Sequence, residues 1–448
     1  MAALFTGISY FTPRENFVLF ISQYIILFGA FYWFWLNKQQ WSFQIFLLIA
    51  IVLRLISIAA LPELSDDFYR FIWDGELLSR GINPFAHTPD ELISYSKFYH
   101  DDYMREVLYH GMTELSHEHY TCYPVVNQIA FLIPALLFDS IVPSVVCLKI
   151  ILILADIGSI LIGKKILEHL GLSTHKVWLY GLNPLIILEF SGNLHFEGLM
   201  IFFLLASIYF LMRWRWFGSA IFMSLAVHTK LLPLMLLPFV MKKLRWRHSI
   251  AYVSLVGFMV LAIGLILLNE QFFHNMMDSV NEYFIRFEFN ASVFYLIREI
   301  GFMVYGWDLV QIVGPILSTI ATISILLVAA VKTYRNDLDI IKGMMFAFVI
   351  YHLLSTTVHP WYIAPILVLA CFTNYKFGLI WSLLVMLSYF AYSNPEFKEL
   401  PAFVITEYVV LYLVLFLELK WNTKKDAFGL QIKEFFQNPS SKPTSTSN

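Results

Sequence analysis

The sequence predicts an all-α integral membrane protein, a multi-spanning helical bundle whose large first outer loop contains surface helices. Three observations predict it. Only 14% of the 448 residues are charged and 59% are hydrophobic, where a soluble domain carries about 25% charged residues. Apolar runs close to the roughly 20 residues that cross a hydrocarbon core recur along the chain. Acids collect in two long connections and basic residues in the short ones, the asymmetry that sets orientation in a bilayer. A net charge of -2 offers no basic surface to a nucleic acid. Cys122, Cys147 and Cys371 are too few and too scattered for a disulfide framework or a metal knuckle.

In order, residues 16–36 and 42–61 form two N-terminal spans within 1–61. The first run exceeds the 7 to 15 residues of a signal-peptide core and lacks a small-x-small cleavage site, so it stays as a span. Residues 62–143 form the first outer loop; Pro62 to Tyr123 holds twelve Asp and Glu against four Lys and Arg. Core spans follow at 144–163, 177–191, 195–212, 217–228, 230–241 and 250–268. A second outer loop at 269–308 carries six acids against two bases, and 309–330, 342–357, 360–373, 377–393 and 403–420 complete about 13 spans. The tail 421–448 is cytoplasmic, with 438–448 lacking apolar content and expected to be disordered. Lys164, Lys165, Lys176, Arg213, Arg215, Lys242, Lys243, Arg245 and Arg247 mark the cytoplasmic side. Alternation of sides then makes 123–138 a helix at the outer surface or re-entering, and puts an outward turn at His228, Thr229 and Lys230.

The same alternation assigns one set of polar residues to the outer face: Asp66, Asp67, Arg70, Asp74, Asn83, Tyr123, Gln128, Asn193, His195, Glu197, His228, Lys230, His359, Trp361 and Tyr362. A carboxylate at the membrane surface can take a proton from an acceptor hydroxyl as general base, although Ser65-Asp66-Asp67 fits a helix N-cap as well. Arg70 shares the face of the two acids and either pairs with them or holds a lipid phosphate. A lysine in apolar surroundings costs about 2.5–3.5 kcal/mol on insertion scales, so an anion is expected beside Lys230, and phosphate binding is preferred to snorkelling. Lys149 and Asp156 lie seven apart on one helical face, where they can satisfy each other; Arg54 is similarly expensive. His195 and Glu197 read as sugar-hydroxyl contacts, metal ligands or caps, and too few partners stand at ligand spacing for a metal site. His359-Pro360-Trp361-Tyr362 reads as an interfacial aromatic belt or as a platform that stacks on a pyranose ring. Gly81 to Phe85 is a helix stop and turn, and His110, His117 and His119 belong to a solvated acidic loop.

The ordered series Asp67-x-Tyr69-Arg70-Phe71-x-Trp73-Asp74-Gly75, Gly81-x-Asn83-Pro84-Phe85, Tyr123-Pro124 with Gln128 and Phe131, His195-x-Glu197-Gly198, Thr229-Lys230-x-x-Pro233 and His359-x-Trp361-Tyr362 runs from Pro62 to Pro365. It resembles bacterial polyprenol-phosphate-mannose-dependent mannosyltransferases of the GT-C superfamily. Val125 departs from a proline, and Phe71 and Phe85 from tyrosines, common in that series. The resemblance implies a GT-C-type bundle whose first outer loop supplies a catalytic aspartate, matched better by Asp67 than by Asp66. It implies a polyprenyl-phosphate sugar as donor, mannose by preference, and a glycan or glycolipid acceptor at the outer face of the bacterial cytoplasmic membrane. In that reading Arg70, Lys230 and Lys149 hold the donor phosphate, direct displacement inverts the anomeric carbon, and the remaining residues of the set contact sugar and acceptor. No cofactor is assigned; a divalent cation on Asp66 and Asp67 stays open. Two alternatives are a lipid-linked glycan flippase or transporter, which calls for paired discontinuous helices and repeated halves, and a glycan-repeat polymerase.

Overall fold

The computed structural model describes residues 1–94, 102–267, 274–275, 279 and 287–437, with side chains except at 102 and 422–437. Segment 438–448, expected to be disordered, lies outside the described residues, as does most of 268–286. The described chain is helical, without strands. Phe289 and Thr357 form an isolated parallel bridge. The N-terminal helices are α1 (Ala2–Phe11), α2 (Phe17–Leu36) and α3 (Phe43–Ile56). Asn16 and Ser42 cap α2 and α3, accepting from the Leu19 and Ile45 amides at 3.2 and 3.4 Å, which satisfies donors that a helix start leaves open. The loop helices are α4 (Asp67–Ser79), α5 (Asp102–Gly111) and α6 (Val125–Ala135). Then come α7 (Ile141–His169), α8 (Glu197–Met212), α9 (Trp216–Thr229), α10 (Trp246–Gly264), α11 (Val293–Tyr305), α12 (Val310–Val331), α13 (Asp337–Leu354) and α14 (Pro401–Gln437).

Among the described residues five helices are long and apolar enough to cross a membrane: α2, α7, α10, α12 and the Pro401–Trp421 part of α14. On α12 the buried face is Val313, Leu317, Ala321 and Ile325, yet Ile312, Ile316, Ile320, Ile323 and Leu327 are exposed. A helix apolar on its outward face suits lipid rather than water. The protein is a membrane protein. Pro184–Gly192 and α8 form a further pair, bent by 114°.

Several segments expected as spans are shorter and broken. The 177–191 run is divided among a 3-10 turn ending at Val177, a helical turn at Trp178–Gly181, Pro184–Ile186, and a π-helical turn at Ile187–Gly192. Pro184 lacks an N–H and Asn183 turns its side chain onto the Leu185 amide at 2.9 Å, so the helix restarts there. Such breaks are tolerated inside a membrane where protein surrounds them, and residues 184–192 are all buried. A buried ion pair ties these pieces together. Arg54 Nε donates to Asp156 at 2.6 Å, Arg54 Nη1 reaches the Ala50 and Gly181 carbonyls at 2.9 Å each, and the Tyr180 hydroxyl donates to the other Asp156 oxygen. Asp156 is thus satisfied by Arg54 and Tyr180, and the expected Lys149–Asp156 pair does not form. Lys149 instead donates to the Ser57 and Ala60 carbonyls at 2.7 Å, just past the end of α3.

The loop helices pack as a layer. Phe68, Phe71, Trp73 and Leu77 of α4 bury against Phe131 of α6, Leu148 and Leu152 of α7 and Phe196, with the Phe71 and Phe131 rings stacked at 4.6 Å. The approach of α4 to α6 is close enough that a Cβ at Gly75 would lie 2.1 Å from the Phe131 carbonyl oxygen. Only glycine permits that spacing. Below it, Gln128 Nε2 donates to Asp74 at 2.9 Å while Arg70 Nε donates to the same carboxylate at 2.7 Å. α6 is an 11-residue helix, about 16 Å at 1.5 Å per residue, too short to span.

Candidate active site

Packing of α4 fixes where its first turn points. Asp66 occupies the N-cap position of α4 without a side-chain capping bond; Ser65 Oγ takes the Asp67 amide instead, at 3.3 Å. The Asp66 carboxylate is free to reach the N-terminal segment, where Arg14 Nη1 meets it at 2.6 Å. Asp67 faces another way, as the 100° step between successive helical residues requires. It accepts a hydrogen bond from Tyr123 and lies within electrostatic reach of His195, Asp66 and Glu197. Burial pushes its carboxyl above the ordinary value, and His195 and the Tyr123 hydrogen bond pull it back part of the way.

His195 sits in the turn between the π-helical Ile187–Gly192 segment and α8. Leu194 before it has a left-handed backbone, φ 64°, an expensive conformation for a leucine and one that clusters at functional sites. His195 Nε2 stands 3.3 Å from Glu189 Oε2, and the His195 amide donates to the Glu189 carbonyl at 3.0 Å. One step on, Glu197 opens α8 and pairs with Lys230, which follows α9 as its extended C-cap. The anion that compensates this lysine is therefore a carboxylate of the protein. Lys230 also lies over the Tyr362 ring, 4.0 Å from its centroid.

The C-terminal half closes the cluster. Trp361 is flanked by two nearly parallel imidazoles, His195 at 3.5 Å and 14° and His359 at 4.4 Å and 3° between rings. Two rings this close to one indole would collide on the same face, so they cover both. Phe289 continues the stack on His359 at 4.8 Å. The bridge places it: the Phe289 amide donates to Thr356 at 3.2 Å and the Val358 amide donates to Phe289 at 2.8 Å. His359 is held well below its ordinary range by burial, with His195 and Lys230 adding to the shift, so it is neutral at pH 7. Its Nδ1 is buried and has no hydrogen-bond partner among the described residues. The indole faces cannot stack on a pyranose ring, contrary to one expectation for Trp361; they hold two histidines in place.

The structure thus brings Asp66, Asp67, Tyr123, His195, Glu197, Lys230, His359, Trp361 and Tyr362 into one connected group, with Asn193 joining through Glu189 at 3.3 Å. Other residues of the expected set serve elsewhere. Arg70, buried, donates to Asp74 and to the Ser116 and His119 carbonyls. Asn83 donates to the Leu267 carbonyl at 2.6 Å and caps its own turn. His228 Nε2 lies 2.9 Å from the Val260 carbonyl. Sequence reasoning missed Arg14, Glu189 and Tyr389. Glu189 could have been found, because an acid inside an apolar stretch is a signal in itself. Among the described residues no group of three or more His, Cys, Asp or Glu is arranged to hold a metal ion.

A family model matches residues 9–246, over half of the chain: the alpha-(1->6)-mannopyranosyltransferase N-terminal domain. The chain belongs to this mannosyltransferase family. The match holds Arg14, Asp66, Asp67, Tyr123, Glu189, His195, Glu197 and Lys230, whereas His359, Trp361 and Tyr362 lie beyond it. In this mannosyltransferase the C-terminal half adds an aromatic clamp to the polar groups of the matched half. No curated protein matches the chain.

Proposed function

We propose that this membrane mannosyltransferase transfers mannose from a polyprenyl-phosphate sugar to a glycan or glycolipid acceptor, at the outer face of a bacterial cytoplasmic membrane, by a single inverting displacement on a GT-C-type scaffold. The observation that carries the reading is the meeting of Asp67, His195, Glu197 and Lys230 with His359 and Tyr362. Asp67 takes the proton of the acceptor hydroxyl as that oxygen attacks the anomeric carbon. Electrons of the breaking glycosidic bond pass to the phosphate, which leaves as a monoester and needs a cation; Lys230 is the cation of the cluster, with Glu197 holding it until phosphate competes for it. Arg70 and Lys149, with their donors turned to internal carbonyls and to Asp74, act by fixing α4 and its approach. Asp67 follows α3, Glu197 opens α8 and Lys230 ends α9, the ends of those two helices away from Arg213 and Arg215, an arrangement that supports a lipid-anchored donor whose head lies at the interface.

Asp67→Asn tests the reading. With polyprenyl-phosphate mannose as donor, turnover is expected to fall by about 10²–10⁴, the usual contribution of a general base, with insertion and folding retained. Turnover near that of the parent protein removes Asp67 as the base. No transfer by the parent protein from this donor, with transfer from a diphosphate-linked one, removes the donor assignment.

A further inference from the structure

Resting on that reading, we propose that Glu189 is a positioning residue for the reaction, acting through His195 to orient the imidazole that faces Asp67. Glu189 is fully buried and lies in the π-helical turn Ile187–Gly192, an irregularity frequent at functional sites. Its carboxylate accepts from the Tyr389 hydroxyl at 2.9 and 3.0 Å and from Asn193 at 3.3 Å. Those donors fix the carboxylate in place. Among the described residues the ionisable base that meets it is His195, whose Nε2 stands 3.3 Å away, an ion-pair distance outside hydrogen-bond geometry. The backbone reinforces the same contact: the His195 amide donates to the Glu189 carbonyl, and the left-handed Leu194 is what folds the chain back far enough to make it. Trp361 then fixes the plane of the imidazole.

A buried carboxylate, itself fixed by Tyr389 and Asn193, gives the imidazole beside it a rigid neighbour and so sets its orientation. An imidazole so held keeps its favourable interaction with the Asp67 carboxylate, which burial and the nearby Asp66 and Glu197 disfavour. The role is thus to hold the imidazole in place beside the base, without touching the substrate.

The test is kinetic. Glu189→Gln keeps the shape and hydrogen bonds but removes the charge; Glu189→Asp keeps the charge and withdraws it by one methylene. Both are expected to lower kcat by about tenfold or more while donor KM changes less than threefold. His195→Gln should cost a similar factor, and the double variant Glu189→Gln/His195→Gln no more than the single ones, since the two act as one unit. If Glu189→Gln fails to accumulate folded, Glu189→Asp alone and with His195→Gln decides the matter. Unchanged kcat, or losses that multiply, overturns the inference. An Asp67→Asn protein without activity beside an unaffected Glu189 variant overturns this inference alone and leaves the reaction assignment standing.

Discussion

At the scale of single residues, the cluster separates groups by what their neighbours allow. Lys230→Met should raise donor KM by tenfold or more with a smaller change in kcat if, as proposed, the donor phosphate competes with Glu197 for this lysine; unchanged donor KM in steady-state assays leaves only a structural lysine. Asp67 must be ionised to accept a proton, and burial raises its pKa, so kcat should fall on the acid side at a pH above the usual carboxyl range near 3.9. Because His195 pulls in the lowering direction, His195→Gln should move that acid limb to higher pH, and a limb that stays in place argues against their contact. Asp67, His195, Glu197, Lys230 and His359 were legible in the sequence because each is a polar residue near the end of an apolar run. Arg14 was not: its partner Asp66 lies 52 positions on, and nothing local announces a pairing across two intervening helices. Nor did the motif of His359 and Trp361 reveal that the indole would be covered on both faces, since His195 arrives from a distant part of the chain.

At the scale of elements, α4 is placed by shape. Gly75→Ala should force α4 and α6 apart, at a cost at the upper end of the roughly 1–3 kcal/mol typical of overpacking, and should lower kcat by displacing Asp67; thermal unfolding in detergent and turnover measured together check both, and a variant with parental values shows that the two helices yield easily. The helices themselves were read well where apolar runs were long, as for α2, α7, α12 and α14. They were read less well at 177–191, 360–373 and 377–393, where the structure has short α, 3-10 and π pieces in place of continuous helix. Hydropathy registers the burial of these residues and is blind to the break, because protein contacts rather than periodicity decide whether the backbone of Pro184–Gly192 can turn. The reading of Arg70 shows the same limit. Its spacing predicted a shared face with the acids, but the i,i+4 partner Asp74 and two loop carbonyls reach it first.

At the scale of the molecule, the class was plain from composition and the order of motifs, and the family match agrees with it. The proposed sidedness rests on the basic connections: with a cysteine introduced at Lys165, just before the end of α7, a membrane-impermeant thiol reagent should label only after the cytoplasmic side is opened, and labelling of intact cells would reverse the proposed topology. The indole clamp carries a consequence for biogenesis. Its two imidazoles come from positions 195 and 359, either side of the point where the family match stops, so a nascent chain that has completed its first eight helices still lacks half of its vise. On the proposed mechanism, competence waits on the synthesis of His359. On the proposed reading, a product that ends before residue 359 lacks one face of the clamp and is expected to sit in the bilayer without transferring mannose.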